Sequence, residues 1–267
     1  MTILQAIILG LIQGLTEFLP ISSSAHLSLA PFLFGWQDPG LAFDVALHFG
    51  TLLAVLWFFR KEWIELIRAA AQIVGTRRVE SVEQKRVIFL ILATIPGAIG
   101  GLLLEEKAET VFRTPALTAV MLMVMGVLLW AVDRFSDKEK PMSRMRWHEA
   151  LLIGCAQVVA LVPGVSRSGS TITASRALKF DRQSAAIFSF LMSMPITAAA
   201  IVLKAPDVLA QGGLGTQVVV GVIAAGASSW LAIAVLLRYV SKHSYGVFAL
   251  YRLLLGAAVL VMLYSRS

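Results

Sequence analysis

The chain contains six apolar runs that are each long enough to cross a lipid bilayer as a helix, which needs roughly 20 predominantly apolar residues. Its charged residues make up only 15% of the sequence and its mean hydropathy is +0.79, whereas a soluble domain carries about a quarter charged residues. We therefore predict six membrane-spanning helices. They cover residues 41–59, 87–104, 115–132, 184–203, 217–237 and 247–264.

Two further hydrophobic segments, 10–26 and 154–170, are interrupted by the same polar pattern when one is shifted by 144 positions onto the other. The matched pairs are Gly10 with Gly154, Gln13 with Gln157, Ser22 with Ser166, and Ser24 with Ser168. In each segment, short apolar arms flank a turn rich in Pro, Ser and Gly, and Pro20 and Pro163 lie in these turns. This pattern predicts two re-entrant helical hairpins, whose irregular backbone is tolerated only inside protein or beside a wet cavity.

Each half of the chain then consists of one hairpin followed by three spans. Because three is odd, the second half must lie upside down relative to the first. We predict an all-α polytopic membrane protein with six transmembrane helices and two re-entrant hairpins in an inverted-topology repeat. The whole chain, 1–267, forms one integral membrane domain, with repeats at 1–133 and 149–267. Such repeats place a ligand near mid-membrane, where the halves meet.

Basic residues are concentrated on one predicted face, which carries 17 of the 23 Lys and Arg residues. Seven lie within 60–86, five within 134–146, three within 176–182 and two within 238–242. The opposite face has Lys107, Arg113, Lys204 and Arg266. The positive-inside rule makes the basic loops cytoplasmic and places both termini outside, so the first hairpin opens outward. The formal charge of +7 is thereby explained without nucleic acid, which we exclude as a partner.

Polar and ionisable side chains at membrane depth are costly and are usually functional. The hairpins carry almost all of those in this chain. They are Gln13, Glu17, Ser22, Ser23, Ser24 and His26 in the first hairpin, and Gln157, Ser166, Arg167, Ser168, Ser170 and Thr171 in the second.

The chemistry of these residues suits a phosphate and a divalent cation. Gln13 and Glu17 are four residues apart, so they share a helix face that can hold a hard cation through oxygen. In the second hairpin, glycines expose backbone N–H groups while hydroxyls and the Arg167 guanidinium add donors for a phosphate. This set predicts hydrolysis of a phosphoanhydride, with Ser23 or Ser24 as nucleophile and His26 as base or acid.

Structural readings of the same residues stay open. Glu17 and Arg167 can form a purely structural ion pair, and serines in membrane helices most often bond to backbone. His48, inside a predicted span, is expected to be structural, and Asp44 to mark a helix start. Arg252 is expected to anchor either a carbonyl group or the substrate. Inverted repeats with re-entrant hairpins also build carriers, so a transporter or flippase of a lipid phosphate is the alternative function.

Residues 13–26 read QGLTEFLPISSSAH and residues 163–169 read PGVSRSG. These stretches resemble the two signatures of the bacterial undecaprenyl pyrophosphate phosphatases, the bacitracin-resistance family. The similarity extends over essentially the whole chain, including Phe43 and Asp44, residues 95–97 and residues 188–191.

The resemblance implies hydrolysis of undecaprenyl pyrophosphate to the monophosphate and inorganic phosphate, with Mg²⁺ or Ca²⁺ as cofactor. This recycles the lipid carrier for peptidoglycan synthesis, and bacitracin competes for the same lipid. The resemblance places the protein in the bacterial plasma membrane, and the loop charges make its site open to the outer face. Assembly as a homodimer is a possibility that the sequence does not decide. The implied roles are catalysis for Glu17, Ser23, His26 and Arg167, metal binding for Glu17 and Gln13, and substrate binding for Gln13, Ser22, Ser24, Ser166, Ser168, Gly169 and Thr171.

One departure from the family pattern concerns the metal site. Gln13 stands where several members have Glu, which removes one carboxylate from the implied pair. A neutral amide can still offer its carbonyl oxygen to a cation. Ser24 and Ala25 replace a Thr-Gly pair of some relatives, which leaves Ser23 as the favoured nucleophile.

Overall fold

A computed structural model describes residues 1–109, 114–136, 140–210 and 215–266, and these residues fold almost entirely into α-helices. The helices are α1 Ile3–Phe18, α2 Ser23–Phe34, α3 Leu41–Phe58, α4 Arg60–Thr76, α5 Val82–Glu109, α6 Pro115–Phe135, α7 Trp147–Val158, α8 Arg167–Ala177, α9 Arg182–Ala210, α10 Thr216–Val240 and α11 Gly246–Arg266. Single 3₁₀ turns occupy Met142–Arg144 and Val159–Leu161. The predicted polytopic all-α membrane protein is confirmed.

Five of the described helices are individually long and apolar enough to cross a membrane: α5, α6, α9, α10 and α11. Helices α3 and α4 pass the same test together, as a pair bent by 81°, and count as a sixth span when the pair is taken as one. Residues 60–76, expected to be part of a basic loop, form a helix. Leu66 and Ala69 explain the difference, because they lie one turn apart and bury one face of α4 while Arg60, Lys61, Glu65 and Arg68 stay exposed.

Two hairpins complete the fold at the predicted places. The first consists of α1 and α2, and the second of α7, its 3₁₀ extension and α8. The first arm of each hairpin is apolar but only 16 residues in α1 and 12 in α7, so neither arm can cross a bilayer alone. Pro20 and Pro163 lie between the arms. Proline has no backbone N–H to donate to a helical hydrogen bond, so each proline favours the end of the preceding helix.

The first arms pack against corresponding spans of the opposite halves. α1 lies against α10, the second span of the second half, and α7 lies against α5, the second span of the first half. Both contacts depend on glycines, because a Cβ on Gly10 would collide with the Gly221 carbonyl and one on Gly154 with the Ala93 carbonyl. Small residues allow this close backbone approach within membranes. The repeat at 1–133 and 149–267 stays a prediction that this matched packing supports.

A buried ionic network ties the helix ends together on the side of the basic loops. The Asp133 carboxylate accepts hydrogen bonds from Arg176 Nε at 2.8 Å, from Arg182 Nε at 2.8 Å and from the backbone N–H of Tyr245 at 3.0 Å. Burial raises the pKa of the Tyr245 phenol, which stays neutral and donates to the Arg182 carbonyl at 2.9 Å. These bonds fix α8, and with it the second hairpin, against α6 and α9.

Some basic residues used in the charge analysis lie outside the described part of the structure. They are Lys138 of the basic loops and the side chains of Lys107, Arg113 and Arg266.

Candidate active site

The two hairpin turns have the same local structure at matched positions. Ser22 and Ser166 are the N-caps of α2 and α8, with φ angles of 74° and 72°. Each cap hydroxyl accepts from the N–H three residues on, Ser22 from Ala25 at 3.4 Å and Ser166 from Gly169 at 3.0 Å. The left-handed conformation is uncommon for residues other than glycine and is found preferentially at functional sites. The sequence match between the hairpins is therefore also a match of backbone geometry.

The tips of the hairpins contact each other directly. The Gly164 N–H donates to the Ser22 hydroxyl at 3.2 Å, and the Ser168 hydroxyl donates to the Leu19 carbonyl at 3.0 Å. Gly164 has a φ of 93°, and a Cβ there would collide with the Thr118 carbonyl. The meeting of the tips therefore needs a glycine at position 164.

Arg252 of α11 holds both tips from behind and is fully buried. Its guanidinium donates to the carbonyls of Pro20 at 3.0 Å, Gly164 at 2.7 Å and Val165 at 3.0 Å, while Nε donates to Leu122 at 3.0 Å. Of the two roles expected for Arg252, the anchoring of carbonyl groups is confirmed.

Glu17 and Arg167 meet where the hairpins cross. Glu17 Oε1 accepts a hydrogen bond from Arg167 Nη2. The other terminal nitrogen of this guanidinium, Nη1, donates to Thr197 Oγ1 at 3.1 Å. Glu17 Oε2 accepts from the Ser23 hydroxyl at 2.5 Å and from Gln13 Nε2 at 3.0 Å. One carboxylate thus joins the first hairpin's hydroxyl to the second hairpin's guanidinium.

These groups face a cavity of about 270 Å³ between the hairpins, α3 and α9. Its polar lining residues are Glu17, Ser23, Ser24, His48, Ser166, Arg167 and Thr197, and its apolar ones include Val45, Leu161 and Ile196. Ser23 and Arg167 are the first residues of α2 and α8, so the N-termini of two helices lie at the cavity. Unpaired N–H groups and the helix dipole favour anions at such termini. The cavity therefore suits a phosphate group attached to an apolar chain.

His48 is a cavity residue that the sequence analysis assigned to a structural role. Its Nε2 lies 3.5 Å from Glu17 Oε2, and its Nδ1 lies 2.7 Å from the Asp44 carbonyl, which can only accept. The sequence carried one indication that His48 is a site residue, because it is an ionisable residue inside a predicted span. The spacing of α3 alone does not reveal that this face turns towards Glu17.

His26 is not among the residues that line the cavity. Its Nδ1 lies 2.7 Å from the Ser22 carbonyl, its Nε2 lies 2.7 Å from the Tyr251 hydroxyl, and the two rings are stacked. The catalytic role expected for His26 stays a prediction, and the structure does not bring the ring together with Glu17 and Arg167.

Several residues predicted to bind substrate lie behind the cavity and support the turns. Thr171 donates to the Arg167 carbonyl at 2.8 Å and pairs with Ser189, while Ser168 and Ser22 bond across the tips. Gly169 faces Arg252, where a Cβ would come within 2.7 Å of the guanidinium. Of the predicted substrate-binding set, Ser24 and Ser166 line the cavity. The roles predicted for the other positions stay predictions; in this structure Gln13 bonds to the Glu17 side chain, and the Ser22, Ser168 and Thr171 hydroxyls bond within or between the hairpins.

The two predicted cation ligands, Glu17 and Gln13, are neighbours on α1 but lie at different depths relative to the cavity. Glu17 lines the cavity, whereas Gln13 is fully buried one turn behind it. Gln13 Oε1 has no hydrogen-bond partner among the described residues, and these residues include no cluster of three or more His, Cys, Asp or Glu. One carboxylate and one amide oxygen fit a cation such as Mg²⁺, which keeps waters and takes phosphate oxygens as further ligands.

The fold and cavity define a polytopic membrane protein with a polar cavity, lined by Glu17 and Arg167, between two helical hairpins. The family described as bacitracin resistance protein BacA matches residues 6–258 of the chain. Over their full lengths, the chain is 61% identical to the undecaprenyl-diphosphatase of Gemmatimonas aurantiaca and 46% identical to that of Moorella thermoacetica. It is 49% identical to the same-named protein of Pelotomaculum thermopropionicum, over all of this chain and 99% of that one. The chain belongs to the bacitracin resistance protein BacA family.

Proposed function

We propose that the protein is an undecaprenyl-diphosphatase, which hydrolyses undecaprenyl pyrophosphate to undecaprenyl phosphate and inorganic phosphate. The observation that carries this proposal is the contact of Ser23, Glu17 and Arg167 in one cavity. A carrier of polyprenyl phosphate needs charge complementarity, but it does not need a hydroxyl that donates to a carboxylate beside the phosphate-binding arginine. Family membership and site chemistry therefore both favour hydrolysis over transport.

In this reaction Ser23 is the nucleophile and Glu17 takes its proton. The Ser23 oxygen bonds to the terminal phosphorus, the bridging P–O bond breaks, and undecaprenyl phosphate leaves with the bonding electrons. Glu17 then gives up this proton to the solvent. In the second step water attacks the phosphoserine, Glu17 takes a proton from the water and passes it to the Ser23 oxygen as the P–O bond breaks, and inorganic phosphate leaves. Arg167 has five N–H donors, and those not used by Glu17 and Thr197 are available to the phosphoryl oxygens, whose charge grows in the transition state.

A divalent cation, Mg²⁺ or Ca²⁺, completes the proposed site. Glu17 and the amide oxygen of Gln13 would hold it together with pyrophosphate oxygens. The chemistry that the cation supplies is neutralisation of the pyrophosphate charge.

The lipid tail can stay in the bilayer while its head group enters the cavity, whose lining includes the apolar residues Val45 of α3 and Ile196 of α9. We place the protein in the bacterial plasma membrane, with the basic loops cytoplasmic and the cavity open to the outer face. By this route the enzyme recycles the lipid carrier of peptidoglycan synthesis, and bacitracin competes for the same lipid. Assembly as a homodimer stays a prediction.

The activity is tested by phosphate release from purified protein supplied with a polyprenyl pyrophosphate and Mg²⁺. We expect release by the wild type and none above background by Glu17→Ala, since this change removes both the partner of Ser23 and that of Arg167. Cys155→Ala is the matched control and should remain active, because Cys155 lies on an exposed face of α7 outside the cavity lining. A wild type that releases no phosphate would refute the proposed function.

The sidedness is tested by labelling single cysteines in intact cells, starting from the Cys155→Ala variant, which has no cysteine. Ser24→Cys lies in the cavity, and we expect it to react with an impermeant thiol reagent added outside. Gln37→Cys and Arg78→Cys, at exposed positions in the loops before α3 and after α4, report the outer and the inner face. Reaction of Ser24→Cys only after permeabilisation, as for Arg78→Cys, would reverse the proposed orientation.

A further inference from the structure

Helix α11 contributes no residue to the cavity lining in the described structure, yet it is bonded to the tip of the first hairpin. The Tyr251 hydroxyl lies 2.7 Å from His26 Nε2, and the two rings are stacked with centroids 5.6 Å apart and planes 7° from parallel. Tyr251 belongs to the spanning helix α11 and is 42% exposed, and its hydroxyl is bonded to the first hairpin rather than to its own helix.

The Ser22 carbonyl fixes the direction of both hydrogen bonds to the His26 ring. His26 Nδ1 lies 2.7 Å from the Ser22 carbonyl oxygen, which can only accept, so Nδ1 carries the proton. In the neutral ring Nε2 is then the acceptor and Tyr251 O–H the donor. Both ring nitrogens are occupied, and the imidazole is held at two ends.

The group that His26 holds is the strained residue of the turn. Ser22 has a φ of 74°, which is unfavourable for a residue other than glycine and persists only where surrounding contacts impose it. In the second hairpin, the Ser166 carbonyl accepts the backbone N–H of Ser170 at 2.8 Å. In the first hairpin, the equivalent bond from the His26 N–H to the Ser22 carbonyl is 3.3 Å long. The imidazole thus adds a short donor where the backbone bond is weaker.

The Ser22 carbonyl is part of the peptide bond that joins Ser22 to Ser23. Rotation of this peptide moves the Ser23 hydroxyl relative to Glu17 Oε2, which it approaches to 2.5 Å. A misplacement of about 1 Å in a reacting group can cost about a hundredfold in rate. The chain of contacts from Tyr251 to Ser23 therefore reaches the proposed nucleophile without entering the cavity.

We propose that Tyr251 is a positioning residue for the reaction: its hydroxyl fixes the His26 ring, which holds the Ser22 carbonyl and so directs the Ser23 hydroxyl at Glu17. The proposal rests on the proposed function. It gives His26 a geometric role, and the proton of the Ser23 hydroxyl does not pass through the imidazole.

Tyr251→Phe is the first test, because it removes the hydroxyl and keeps the stacked ring. We expect kcat for phosphate release to fall about tenfold, as for the loss of one hydrogen bond, while KM stays within about twofold. The melting temperature and the shape of the pH–rate profile should be unchanged. Tyr239→Phe is the matched control, since Tyr239 stacks on His243 with centroids 4.6 Å apart and lies outside the cavity lining. It should keep wild-type kcat.

A double-mutant cycle with His26→Phe, which keeps a ring but removes both nitrogens, is the second test. We expect His26→Phe to lower kcat without removing a limb of the pH–rate profile. Tyr251→Phe should then have little further effect in the His26→Phe background, because the bond that it removes is already absent.

Three results would overturn the positioning role. They are an unchanged kcat in Tyr251→Phe, a fall of kcat that is accompanied by a fall of the melting temperature, and full additivity of the two substitutions in the cycle. Loss of a pH limb in His26→Phe would instead make the imidazole an acid–base group. The wild type in the same assay separates these outcomes from failure of the proposed function, in which it would release no phosphate.

Discussion

Arg167→Ala is expected to lower the rate of phosphate release by at least about a thousandfold, with its largest effect on kcat. The guanidinium is the main cationic group among the described residues that line the cavity, and it lies at the N-terminus of α8, where the phosphoryl charge would grow. Its removal also takes away the arginine partner of the Glu17 carboxylate at membrane depth, which is costly in itself.

Two comparisons separate the phosphate role of Arg167 from a structural one. Arg167→Lys keeps the charge but cannot keep the contacts to both Glu17 and Thr197, so partial recovery of kcat is expected. Arg238→Ala removes an exposed arginine at the end of α10 and should be indistinguishable from the wild type. An Arg167→Ala variant that folds and retains wild-type kcat would show that the Glu17–Arg167 pair is only structural.

Ser23→Ala is expected to reduce phosphate release by at least about a thousandfold as well, because the proposed nucleophile is lost. The variant keeps the cavity shape, the Glu17–Arg167 pair and the substrate contacts, so it should still bind a polyprenyl pyrophosphate. Single-turnover measurements together with equilibrium binding of the labelled lipid would show the two effects separately.

Ser24→Ala provides the matched comparison on the next residue. Ser24 lines the same cavity but bonds to Ser22 at 3.2 Å rather than to Glu17. We expect a loss of no more than about tenfold, the size of one hydrogen bond. If Ser24→Ala is the inactive variant and Ser23→Ala turns over normally, the nucleophile has been assigned to the wrong hydroxyl. Acid-quenched wild-type enzyme should yield a phosphorylated peptide that contains Ser23.

The hairpins and their meeting point could be predicted because the information is local and repeated. The turn from 19 to 23 and its match at 163–167 both carry a proline and a serine N-cap, and the structure gives both serines the same left-handed geometry. The pairing of Glu17 with Arg167 followed from the cost of leaving either charge alone in a membrane.

What the sequence could not supply was the rotation of each helix about its own axis. His48 and His26 both lie on apolar helices, and their sequence contexts do not show that the first faces Glu17 while the second faces Tyr251. The bend between α3 and α4 was missed for a related reason. The many charges of 60–76 suggested a loop, whereas burial of one apolar stripe makes the segment a helix.

The central claim is that two hairpins of opposite halves grip one diphosphate between them. A structure of the protein with a non-hydrolysable methylene-bisphosphonate analogue of the lipid tests it most directly. We expect phosphorus density in the cavity, with the phosphate oxygens in hydrogen-bond contact with Arg167 and the terminal phosphorus facing the Ser23 hydroxyl. An analogue bound elsewhere, with Glu17 and Arg167 still paired and their cavity empty, would contradict it.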